Sequence, residues 1–357
     1  MKASLKTSVA MVAALVGLGL FAAPKSAAKS SADTSFVLGS DISWVTEFEK
    51  KGRVFKTASG ESRDLFRLLK EEYSHSAVRL RVWVNPKDKW CDKDDTVAKA
   101  LRAKAAGMDV MVDFHYSDNW ADPGHQHIPA AWAPYSNDVA KVASLLAAHT
   151  RDVLGELKRR GVEPKWIQVG NETAPGFVWP TGSTSRPDGY AALFKAGYAA
   201  AKKVFPNAIV IIHLDRGHNH GLYDWNLGML AERGVKWDMI GMSVYPYWVN
   251  KDDKQVQDRV ITQAMSNIRR LAAKYGTDVM IVETGVHNRT GQPEVQKESL
   301  RQLQRILFDA RHDTDNHCRG VFYWEPDSYE SPYQLGAFRN DGRPTEIMDA
   351  FNTYDRK

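Results

Sequence analysis

Short runs of β-branched and apolar residues recur along the chain, each followed by a longer stretch whose apolar positions return every three or four residues. The runs predict parallel strands at Phe36–Asp41, Ala77–Val84, Asp109–His115, Trp166–Asn171, Ala208–His213, Asp238–Val244, Asp278–Glu283 and Gly320–Glu325. Several are apolar at successive rather than alternate positions, the pattern of strands covered on both faces. The stretches between them predict helices, among them Asp95–Ala106, Asn137–Leu157, Tyr190–Val204, Val256–Lys274 and Val295–Arg311. Val97, Leu101 and Ala105 fall on one stripe of the first of these. Pro164, Pro206, Gly107, Gly161, Gly234 and Gly276 stand between a helix and the next strand, where the chain must turn. Eight such strands, the last followed by a short terminal helix, predict an α/β protein with a single (β/α)8 barrel over residues 33–357. A doubly wound open sheet would carry a glycine-rich phosphate loop after an early strand, and the sequence has none.

Two strand ends carry the chemistry. Trp166-Ile-Gln-Val-Gly-Asn-Glu172 stops at Thr173-Ala-Pro-Gly176, because proline lacks a donor and glycine favours a turn. Val279-Met-Ile-Val-Glu-Thr-Gly285 repeats the plan. Glu172 and Glu283 therefore stand at strand tips, on the rim where barrels of this kind place their chemistry. Two such glutamates suggest a paired-carboxylate enzyme. Arg79 and Arg81 share parity on the second strand, so both can point into the barrel, and a guanidinium beside Glu283 would favour its charged form.

The first residues change the picture in one respect. Lys2 and Lys6 precede an apolar run from Val9 to Ala23, and Ser26-Ala27-Ala28 follow. The run is short for a membrane span and ends in small residues, so residues 1–28 read as a cleaved secretory signal. Export is expected, with no membrane insertion of the mature chain. Cleavage removes Lys2, Lys6 and Lys25 from a net charge of +5, leaving +2, and there is no long basic run. That excludes the electrostatic footprint of a nucleic-acid binder. Cys91 and Cys318 would lie at opposite ends of the barrel, so no disulfide is expected. His115, His125 and His127 invite a metal site, but the last two have i, i+2 spacing and no cysteine accompanies them. A loop is the better reading, with no catalytic metal and no cofactor.

Longer motifs add a resemblance. Asp113-Phe-His-Tyr-Ser-Asp-Asn-Trp-Ala-Asp-Pro-Gly-His-Gln126 runs on to Pro129-Ala-Ala-Trp132. With Val78-Arg-Leu-Arg-Val-Trp-Val-Asn-Pro86, Val169-Gly-Asn-Glu172, Trp179-Pro-Thr-Gly182 and Tyr323-Trp-Glu-Pro326, the chain resembles glycoside hydrolase family 53 from Gly39 to Asn352. These are arabinogalactan endo-β-1,4-galactanases within a clan of retaining (β/α)8 glycosidases. The resemblance implies Glu172 as general acid/base, Glu283 as nucleophile and a β-1,4-galactan or arabinogalactan substrate; a monomer is expected. The chain departs from the family pattern at Val286-His287-Asn288 and Asp327-Ser328-Tyr329, which leaves outer subsites and product length open.

The remaining candidates are binding residues. Asn171 could donate to the sugar 2-hydroxyl or cap its turn. Tyr245 could hydrogen-bond Glu283, and Trp324 could floor the reacting sugar. His115 and His213 could touch substrate or hold the carboxylates, and Asp41 could bind hydroxyls. Trp83, Trp120 and Trp179 are candidate stacking platforms, with plain loop packing as the alternative for each. Another endo-β-glycanase acting on mannan, xylan or cellulose shares the two-glutamate plan, and a non-catalytic glycan-binding barrel is the rival of a different class.

Overall fold

The computed structural model describes residues 36–288, 292–328 and 333–355. The predicted signal at 1–28 lies outside the described residues. Eight parallel strands run in chain order: β1 (Val37–Asp41), β2 (Ala77–Val82), β3 (Asp109–Phe114), β4 (Trp166–Val169), β5 (Ile209–Leu214), β6 (Met239–Val244), β7 (Val279–Thr284) and β8 (Cys318–Trp324). Each pairs with its sequence neighbours, and β8 closes on β1 in a register that sets Asp41 beside Trp324. The architecture is the predicted (β/α)8 barrel. A two-stranded ribbon, Gly176–Phe177 with Gly182–Ser183, decorates the loop after β4.

The predicted helices appear within a few residues of their expected ends: Lys93–Ala105, Val139–Arg159, Pro187–Val204, Lys254–Tyr275 and Pro293–His312. Their starts are set by side chains that satisfy the first orphan amides. Asp92 accepts from the Asp95 amide, Asp138 from Lys141, and Asp253 from Gln255 and Val256. A helix at His220–Glu232 was not among those predicted by periodicity. Its signal was present in the cap, where Asn219 accepts from the Leu222 amide, and in buried Tyr223, Leu227 and Leu230.

Strand parity divides the buried residues into two sets. Val78, Leu80 and Val82 of β2 belong to the large cluster under the helices, whereas Ala77 packs inside the barrel with Val37, Met111, Trp166, Met280 and Phe322. Gly39 is needed there, because a Cβ would come within 2.5 Å of the Phe322 ring. Above this apolar floor the inward positions turn polar: Arg79 and Arg81 on β2, Asp113 on β3, Gln168 on β4, His213 on β5 and Ser243 on β6, all buried. Cys91 follows β2 at the rim and Cys318 opens β8 at the floor; both thiols are free and buried.

Candidate active site

The strand tips surround a cleft of about 820 Å³. Asp41, Arg79, Arg81, His115, Trp120, Asn171, Glu172, Tyr245, Glu283 and Trp324 line it, so ten of the thirteen residues singled out in the sequence converge there. Backbone irregularities aim both glutamates. The β6–β7 register shifts between Met242 and Ser243, where a bulge brings Glu283 opposite Ser243. Met280 and Val282 pack inward below it, so the shift is what re-aims Glu283 at the mouth. After β4 the chain turns at Gly170 with φ +81°, and Glu172 itself adopts φ +47°. A non-glycine residue there costs on the order of 1–2 kcal/mol. It is held by the Thr173 amide donating to His213 O at 2.9 Å and Gln126 Nε2 donating to Asn171 O at 2.7 Å.

Arg79 is the hub. Its guanidinium meets Asp41 at 2.8 Å, Asp113 at 2.9 Å and Glu283 Oε1 at 2.8 Å, and donates to Asn171 Oδ1 at 2.8 Å. Tyr245 donates to Glu283 Oε2 at 3.0 Å. Burial pushes the Glu283 carboxyl up to about 7, while Arg79 and the Tyr245 hydroxyl favour its anion and Asp113 and Asp41 oppose it. Glu172 has a different setting. Burial drives its carboxyl well above the ordinary carboxylate range, and the charges of Glu283 and Asp215 push the same way. These influences favour its protonated form, and unlike Glu283 it has no guanidinium beside it to offset them. Ser243 donates to Glu172 Oε1 at 2.6 Å and receives from His213 Nε2 at 2.9 Å. The Glu172 amide donates to His213 Nδ1 at 3.3 Å, so this imidazole is neutral, in keeping with its lowered pKa. The Ser243 hydroxyl favours the ionised form of Glu172. Ser243→Ala should accordingly move the alkaline limb of the kcat/KM profile to higher pH, and an unmoved limb would remove Ser243 from the control of Glu172.

Three sequence candidates sit elsewhere. His213 lies under the cleft as the support just described. Trp83 is buried, donating through Nε1 to His115 Nδ1 at 3.2 Å with Arg81 over its ring at 5.0 Å. Trp179 donates to Pro175 O at 3.1 Å and lies outside the cleft lining. Neither of these two indoles is among the residues that line the cleft. Asn171 sends one N–H to Ala121 O at 2.7 Å, and His115 donates to Asp113 at 2.9 Å. Residues missed in the sequence include Asp113, Gln168, Ser243, Asp215, Trp248 and Tyr333. The first three had a legible signal as polar residues at inward positions of otherwise apolar strands. Trp248, in a short helix Pro246–Val249 after β6, and Tyr333 flank Trp324, with ring centroids 6.3 and 5.4 Å away. His125 and His127 are exposed on the rim, His125 bonded to Asp122 at 2.9 Å. Among the described residues no group of three or more His, Cys, Asp or Glu side chains is placed to hold a metal ion.

Beside Trp324 lies a buried polar chamber. Glu325 pairs with Arg81, whose guanidinium is stacked on Trp120 at 4.1 Å and Trp44 at 4.5 Å. Asp327 is fully buried, and among the described residues neither of its carboxyl oxygens has a partner. Burial, with the Asp41 charge, raises Asp327 from 3.8 to about 8. The unfolded chain ionises Asp327 near pH 4 while the fold keeps it protonated, so this residue lowers stability progressively from there to about pH 8. Asp327→Asn should match the parent at pH 4 and unfold at a higher temperature at pH 8. A melting difference that does not grow with pH would refute the protonated Asp327.

Comparison with known proteins agrees with this geometry. The model of glycosyl hydrolase family 53 matches residues 37–350. An arabinogalactan endo-β-1,4-galactanase of Thermothelomyces thermophilus is 31% identical over 81% of this chain and 88% of its own length. An endo-β-1,4-galactanase of Bacillus subtilis is 31% identical over 82% of this chain and 70% of its own. A solved fungal β-1,4-galactanase superposes with a TM-score of 0.79 at 28% identity, over 89% of this chain and 99% of that one. With the barrel in place and the family model matching residues 37–350, the chain belongs to glycosyl hydrolase family 53.

Proposed function

We infer that the protein is a retaining endo-β-1,4-galactanase acting on galactan and type I arabinogalactan, and that it works with two glutamates and no cofactor. The observation that carries the reading is the contrast between two neighbouring carboxyls. Glu283 is steadied as an anion by Arg79 and Tyr245, whereas burial and the charges of Glu283 and Asp215 favour the protonated form of Glu172 against the single Ser243 hydroxyl. The names of the relatives supply the sugar.

Glu283 attacks the anomeric carbon while Glu172 gives its proton to the departing sugar oxygen, breaking the glycosidic bond and leaving a galactosyl ester on Glu283. Glu172, now ionised, takes a proton from water. The hydroxide oxygen bonds to the anomeric carbon, the ester breaks, and both carboxyls return to their first states. Asn171 retains an N–H for the sugar 2-hydroxyl, and Trp324 offers its indole face beneath the ring. Asp41, Arg79, Arg81 and His115 shape the polar side of this pocket, and Trp120 its aromatic side.

The apolar run ahead of Ala28 supports export by a cleaved signal. Among the described residues no helix is long and apolar enough to cross a membrane. The enzyme works as a monomer.

The test is reducing-sugar release from linear β-1,4-galactan, with mannan, xylan and carboxymethylcellulose beside it, each with and without EDTA. Release from galactan alone, indifferent to EDTA, is expected. Preference for another glycan would keep the two-glutamate chemistry and discard the substrate; loss with EDTA would point to a metal the reading does not need.

A further inference from the structure

The half of the cleft beyond Glu172 holds a charged pair that the hydrolytic steps do not use. Glu283 is fixed from β2 by Arg79, and Trp324 ends β8, so the sugar that becomes attached lies over the β7–β2 half of the rim. Glu172 ends β4, its carboxyl is held from β6 by Ser243, and it feels the charge of Asp215 after β5. A leaving oxygen that meets this proton carries the departing chain across the β5 tip. Asp215, Arg216 and His218 line the cleft there.

Asp215 is 6% exposed, with one carboxyl oxygen accepting from Arg216 Nε at 2.6 Å and the other buried and, among the described residues, without a partner. A carboxylate oxygen buried against a sugar-binding cleft lacks the hydroxyl that would satisfy it. The Nε bond also fixes the guanidinium plane. The Arg216 side chain is 52% exposed, and among the described residues neither of its η nitrogens has a partner. Of the other charges lining the cleft, Arg79 is committed to buried carboxylates and Asp122 to His125, and Arg81 pairs with Glu325 through one nitrogen while its guanidinium is buried against Trp44 and Trp120. His218 sits half-buried beside Arg216, its pKa lowered by burial and by that charge, so it adds no cation near neutral pH. The open valence on this side is a pre-oriented, cationic fork. A neutral hydroxyl engages one N–H of such a fork, whereas a carboxylate accepts from two parallel N–H groups and balances the charge as well.

We propose that the β5 tip is a leaving-side subsite for a carboxylate-bearing sugar, with the Arg216 η nitrogens taking the carboxylate and the unpartnered Asp215 oxygen accepting a hydroxyl. The substrate class is a galactan whose reducing end is joined to a uronate-containing backbone, cut close to the junction. This rests on the galactanase reading above. It makes the enzyme a reader of the acidic anchor as well as of the neutral chain.

The experiment compares kcat/KM for two substrates: a short linear β-1,4-galactan, and the same galactan linked through its reducing end to a uronate-containing oligosaccharide. The expected ratio favours the acidic substrate by about tenfold at low salt and shrinks as salt rises. Arg216→Gln should bring the ratio to about one, and Arg216→Lys should restore part of it. Using the ratio cancels any change in Glu172 that follows when Asp215 loses its partner. A parent ratio of one, or a preference that survives Arg216→Gln, overturns the subsite while leaving the galactanase reading standing. Failure to cut the neutral galactan at all overturns that reading, and the subsite with it.

Discussion

Glu283→Ala is expected to cut galactan turnover by on the order of 10⁴-fold or more, because the variant has no group to form the glycosyl ester. The fold should survive. Arg79 keeps Asp41 at 2.8 Å and Asp113 at 2.9 Å, so its buried charge is still paired, and the change removes one of three carboxylates crowded on one guanidinium. The vacated space next to Arg79 suits a small anion. Azide should enter it and bond to the anomeric carbon while Glu172 protonates the departing oxygen of an activated substrate. The product is then an α-galactosyl azide, inverted relative to the β-linked substrate. Glu283→Gln should be equally inactive and resist rescue, since its amide fills the space. The geometry makes two outcomes decisive against the nucleophile: residual turnover near the parent rate, or an azide product with retained configuration.

Much of this site could be read from the chain because strand parity and strand ends obey short-range rules. Arg79 and Arg81 are two apart on β2, so both face inward, and Glu172 follows a run that Pro175 and Gly176 must end. Glu283 was located for a partly different reason than the structure gives. Parity with Met280 and Val282 would have turned it outward, and it faces the mouth through the register shift against Ser243. A bulge leaves little mark on composition. The indoles show the limit most plainly. Trp83, Trp120 and Trp179 stood as equals in the sequence, yet only Trp120 lines the cleft. A loop residue's direction depends on contacts from other segments of the chain, such as His115 after β3 accepting the N–H of Trp83 after β2. The same holds for Asp215, whose significance comes from lying near Glu172, 43 positions away in the chain and one strand away in the barrel. The interior polar layer of Asp113, Gln168 and Ser243 was legible in principle. Polar residues at inward positions of buried strands are costly unless they serve one another, and here they converge on Arg79 and His213.

Glu172→Ala should divide substrates by leaving group. Galactan departs as a sugar alkoxide and needs the proton, so its hydrolysis should fall by about 10²–10⁴-fold. An aryl galactobioside with a nitrophenolate leaving group needs none, and its bond to the anomeric carbon should still break at close to the parent rate. The second step then stalls, because no carboxylate remains to deprotonate water. The galactosyl ester on Glu283 should accumulate, seen as a burst of nitrophenol equal to the enzyme present, followed by slow turnover. Azide needs no general base and should release the ester as a β-galactosyl azide, the opposite anomer to that from Glu283→Ala. The surroundings of Glu172 make the variant tractable: Ser243 and His213 stay bonded to each other at 2.9 Å, and the neighbouring Asp215 loses a competitor for protons. Equal loss on both substrates, with no burst, would assign the proton to another group. The two anomers of one small nucleophile, one from each variant, distinguish acid/base from nucleophile more firmly than either loss of rate.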